Sequence, residues 1–76
     1  MDKDYIINAA WLALKSKEEE KRGDYYLARD RMYDVINGRD FSISKAKAKK
    51  DHEKARKDYE EAIEIRKAFE KLFELA

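Results

Sequence analysis

Glu18-Glu19-Glu20-Lys21-Arg22-Gly23-Asp24-Tyr25 reads as the end of one helix and the start of another. A glycine after a charged run, with cations in the last turn, is a helix C-terminal signal. Asp24 can then cap a following helix by accepting its free N–H groups. Asn37-Gly38 is the second break, and residues 37–42 (Asn-Gly-Arg-Asp-Phe-Ser) have loop composition. Asp40, Ser42 or Ser44 can each cap the third helix. The pattern predicts three helices, over about 4–21, 25–36 and 43–75. The expected class is all-α: two short helices and one long C-terminal helix in a single domain, 1–76, completed as a dimeric helical bundle.

The faces of these helices carry the dimer expectation. From Tyr5 to Leu14 only Asn8 is polar, so the first helix is apolar nearly all round and needs cover on more than one side. In the second, Tyr25, Ala28, Met32, Val35 and Ile36 read as core. The third would be roughly 50 Å long, against about 27 Å for the first, at 1.5 Å per residue. Its apolar load is lopsided. Residues 44–58 offer only Ala46, Ala48 and Ala55, whereas Tyr59, Ile63, Ile65, Phe69, Leu72, Phe73 and Leu75 come after them. Beside so short a partner the apolar half would project into water, at a cost. A bend near Lys50–Glu53 is one remedy. A homodimer through helix 1 and the C-terminal half of helix 3 is the favoured one.

Composition excludes several function classes. The 76 residues carry 18 Lys and Arg against 17 Asp and Glu, with no cysteine and no proline. There is no disulfide frame, thiolate zinc site or cysteine nucleophile. His52 is the single histidine, too few for a zinc set, and belongs on a surface or edge. Ser16, Ser42 and Ser44 lie in turn or capping contexts, without a nucleophile elbow. No phosphate loop or dinucleotide fingerprint occurs. Glu18, Glu19 and Glu20 point around the helix and read as a solvated face. A non-enzymatic protein without cofactor or metal is expected. No stretch approaches the roughly 18 apolar residues of a membrane span. The N-terminus lacks the cationic start of a signal peptide, which suggests a cytoplasmic protein. The Asn-Gly loop and five tyrosines are not idealised choices, and the chain reads as a complete natural protein.

Two faces are candidate binding surfaces. Tyr26, Arg29, Asp30, Tyr33 and Asn37 share one side of the second helix, and Tyr with Arg is hot-spot composition. Tyr26, Arg29 and Tyr33 are the candidate protein contacts. Arg66 joins them because it falls inside the apolar arc of Tyr59, Ala62, Phe69 and Phe73. Its other reading is a packed stem whose head reaches water or a carboxylate. Charge supplies the alternative. Residues 39–57 hold eight cations and three anions, while residues 58–76 hold three cations and six anions. Lys45, Lys47, Lys49, Lys50, Lys54 and Lys57 could neutralise phosphates of a nucleic acid without reading bases. Pairs such as Glu53/Lys57 and Lys54/Asp58 would instead make that segment a solvated helix.

Gly23-Asp24-Tyr25, then Ala28, Met32, Val35 and Ile36, resembles the second half of a tetratricopeptide-type hairpin. The same residues resemble the turn and second helix of the three-helix microtubule-interacting-and-trafficking module. The likeness covers about fourteen residues and reflects shared helix-hairpin physics. Ser16 matches a small tetratricopeptide position, whereas Lys15 and Glu19 stand where apolar residues belong. The trafficking module also has a shorter third helix. Either resemblance implies peptide or helix binding. The sequence reading is a small protein-binding inhibitor or adaptor of a larger protein or nucleoprotein, of phage or mobile-element type, with non-specific nucleic-acid binding as the alternative.

Overall fold

A computed structural model describes residues 3–75. Helix α1 runs Lys3–Ile36 and helix α2 runs Lys45–Leu72, packed as an antiparallel hairpin 54 Å long and 17 by 15 Å across. All-α is the class, but the described residues form two helices and not three. Gly23 lies inside α1.

The seam explains why. On α1, Ile7, Trp11, Leu14, Glu18, Lys21, Tyr25, Ala28 and Met32 are half-buried and Val35 is buried. Their spacing alternates four and three without a fault, the period of a two-helix coil. On α2, Ala48 is buried, and His52, Ala55, Tyr59, Ala62, Arg66 and Phe69 are half-buried, with the same alternation. A helix end at Gly23 would interrupt this seam. Glycine inside a helix costs only about 1 kcal/mol relative to alanine. It also stands on the outermost line of α1, where an added Cβ would meet nothing within 4 Å. Continuity wins, and the turn implied by the tetratricopeptide-type resemblance is absent.

The fused helix also removes the length mismatch between the first and third predicted helices. The apolar end of α2 does not project. Trp11 and Glu70 meet across the seam, so the apolar turns of both helices lie together at the open end. Neither a bend in α2 nor a second copy is needed to cover that half along the seam.

The second predicted break holds. Gly38 has φ 75, the left-handed conformation that glycine adopts freely. The Gly38 N–H donates to Val35 O at 3.2 Å and the Arg39 N–H to Asp34 O at 2.8 Å, which closes α1 with a Schellman turn. Asp40 accepts from the Ser42 N–H at 2.8 Å. Ser44 is therefore the N-cap of α2, with its hydroxyl accepting from the Lys47 N–H at 3.1 Å. No helix among the described residues is long and apolar enough to cross a membrane.

Candidate functional site

Tyr26, Arg29 and Tyr33 occupy successive turns of α1. Tyr26 and Tyr33 each come one residue after a seam residue, Tyr25 and Met32, and so lie about 100° round the helix from the seam. The two rings are 43% and 51% exposed. Arg29 between them is half-buried.

Packing orders this patch. Tyr25 sits in the seam, its ring 5.2 Å from His52 and 5.8 Å from Tyr59. Its other neighbour is Tyr26, at 5.6 Å between centroids. His52 is thus a seam residue. The Arg29 guanidinium lies 4.8 Å from the Tyr26 ring, close enough for cation–π attraction. Its Nη2 donates to Asp30 Oδ1 at 3.4 Å, while its Nε is buried without a hydrogen-bond partner. A flat cation and two aromatic rings, one of them resting on Tyr25, can receive an aromatic ring, a carboxylate or a backbone carbonyl.

Arg66 is elsewhere. It lies in the seam with a side chain only 17% exposed. Its Nε donates to Glu18 and its Nη1 to Glu70, and its Nη2 reaches Glu18 Oε1 at 3.2 Å. Glu70 also accepts from Trp11 Nε1 at 3.2 Å. The head of Arg66 therefore reaches carboxylates, the second of its two sequence readings. The hydrogen bonds and charge of Arg66 hold the Glu18 carboxyl below its ordinary value, and Glu18 raises Arg66 in turn. Glu18 to Tyr26 is about 12 Å along the helix, so Arg66 does not join the tyrosine patch. The glutamate run is divided: Glu18 turns inward, whereas Glu19 and Glu20 are exposed. Sequence reasoning missed Glu18 and Glu70 as the partners of Arg66. The available signal was the place of Glu18 on the stripe four residues after Leu14.

All six candidate lysines are exposed. Lys47, Lys50, Lys54 and Lys57 recur at three and four residues and form one stripe on α2, away from the seam. Lys49 stands to one side and Lys45 begins the helix. Lys47 reaches Asp51 at 3.2 Å. Glu53 takes Arg56, which also reaches Glu60 at 3.0 Å, in place of the expected Lys57. These bonds from Arg56 lower the Glu53 carboxyl. No group of three or more His, Asp or Glu among the described residues is placed to hold a metal.

Comparison with family models, curated proteins and solved structures finds no match.

Proposed function

We propose that the chain is a small non-catalytic protein-binding hairpin, a stoichiometric inhibitor or adaptor of a larger protein or nucleoprotein, of the kind carried by phages and mobile elements. The Tyr26–Arg29–Tyr33 patch carries the reading. It is aromatic and cationic with both rings exposed, and Tyr25 braces Tyr26 from below, which lowers the ordering cost of docking. The mechanism is occlusion of a partner surface. Self-association belongs to the same reading. Tyr5, Ile6 and Leu12 at the start of α1, Leu72 at the end of α2 and Leu75 just beyond it are 42–75% exposed. Exposed apolar side chains gathered at one end favour a covering partner.

The test is a tagged pull-down from candidate hosts, with and without nuclease. A stoichiometric protein retained by the parent chain after nuclease, and lost with Tyr33→Ala or Arg29→Glu in a still-helical protein, is the expected result. Retention by both variants excludes this face.

The lysine stripe favours a second reading, non-specific nucleic-acid binding. That reading requires affinity that falls steeply with salt and fails in a Lys50→Glu, Lys54→Glu double variant.

A further inference from the structure

We infer that the outer stripe of α1 is covered by a second copy of this chain, docked antiparallel, and that this dimer masks the Tyr26–Arg29–Tyr33 patch. The masking rests on the proposed role of that patch.

Three observations carry the inference. The first is spacing. Tyr5, Leu12, Glu19, Tyr26 and Tyr33 recur every seven residues on one line of α1, each one residue past the seam line. The four apolar members are 65%, 53%, 43% and 51% exposed, so the hairpin leaves the line uncovered. A periodic apolar line at this angle to the seam is what a second helix packs on in a four-helix bundle.

The second is symmetry. The line is evenly spaced about Glu19, with two apolar residues on each side. A two-fold axis there sets Tyr5 opposite Tyr33 of the second copy and Leu12 opposite Tyr26 of the second copy. Such an isologous contact closes on itself. Glu19 also lies at the middle of α1, which spans Lys3–Ile36, so the same axis overlaps the helices along their full length. The like charges of the two Glu19 side chains fall between Lys15 and Arg22 of either copy, each within about one turn.

The third is charge. The open half of the hairpin, residues 3–20 and 58–75, carries six cations and ten anions. The loop half, residues 21–57, carries twelve cations and six anions. Parallel stacking would place like on like. Antiparallel stacking sets each acidic half beside a basic one, which selects this orientation.

The chain has no cysteine, so single cysteines report the axis directly. The full-length Glu19→Cys and Asp30→Cys proteins are oxidised at equal concentration, with helicity checked by circular dichroism. Position 19 lies on the axis, while two copies of position 30 are about 33 Å apart along the helices. Disulfide dimers are expected to form at least about tenfold faster at 19 than at 30, by effective concentration. Leu12→Glu is expected to raise the dimer dissociation constant at least about tenfold in sedimentation, as for a central contact residue. Monomeric mass at every concentration, equal cross-linking rates, or an unaltered dimer in Leu12→Glu overturns the inference. The disulfide-locked Glu19→Cys dimer is then offered the pulled-down partner. Loss of capture on locking is expected, and capture by the locked dimer overturns the masking. A pull-down that returns nothing, with cross-linking intact at 19, counts against the protein-binding reading alone.

Discussion

Arg66 on α2 closes on Glu18 of α1, 48 residues away, between Leu14 and Lys21 on one helix and Ala62 and Phe69 on the other. The pair is nearly dry, with side chains 17% and 13% exposed. Removing Arg66 strands Glu18, whereas removing Glu18 leaves Arg66 with Glu70 alone. Glu18→Ala or Arg66→Ala should each cost about 1.5–3 kcal/mol, the range for a hydrogen bond to a charged group. Replacing both with leucine should cost less than Arg66→Ala, because only Glu70 then loses its cation, and it keeps the Trp11 Nε1 bond. Urea unfolding of the three variants checks the order, and a double variant weaker than Arg66→Ala contradicts it.

The same pair sets an acid limit. Glu18 is depressed below its ordinary value of 4.5 by the hydrogen bonds from Arg66, with the charge of Arg66 adding to them. A depressed carboxyl contributes stability that is present above its unfolded value and lost as pH falls through its folded value. Melting temperature should therefore fall as pH drops below about 4.5, and fall less steeply in Glu18→Gln. Thermal scans from neutral pH to pH about 3 test this. Parallel declines in parent and variant would assign the acid limit to other carboxylates.

The two glycines should respond in opposite directions. Gly23→Ala should stabilise by about 1 kcal/mol, since the position is helical, outward and open. That is a rise of roughly 4–8 °C in melting temperature. Gly38→Ala should destabilise by about 1 kcal/mol, because φ 75 strains a residue with a Cβ. Loss of stability in Gly23→Ala would restore the break read from the sequence.

Ser44→Ala should cost about 1 kcal/mol, the usual value of an N-cap, while Ser42→Ala should be near neutral. Circular dichroism melts of the two variants separate the capping serine from its neighbour.

Local chemistry was legible where a residue's conformation admits one answer. Gly38 needs a left-handed backbone, and Asn37-Gly38 duly ends a helix. The core face of residues 25–35 and the separate Tyr26/Arg29/Tyr33 face come from helical period alone, although Ile36 proved 40% exposed. Gly23 failed because a glycine in a charged run carries two meanings, and only the partner helix chooses between them. Glu18 and Lys21 hid the continuity of the stripe, being polar at positions the period assigns to the seam. Glu18 is tolerated there only because Arg66 meets it, a fact about chain positions 48 residues apart. The reach of Arg66 to a carboxylate was readable; which carboxylate was not.

The hairpin has one short connection, between Ile36 and Lys45, and every contact between the helices is ordered by its distance from it. Val35 and Ala48, the two buried among the described residues, stand beside the turn. Tyr25 meets Tyr59 further out, then Glu18 meets Arg66, and Trp11 meets Glu70 near the ends. Each step encloses a longer loop than the last, so the chain should close like a zipper from the turn outward. The only tryptophan is at the last teeth. Its fluorescence should change after most of the helix has formed on refolding and before most of it is lost on heating. An optical record of Trp11 that lags circular dichroism in one direction and leads it in the other would trace that order.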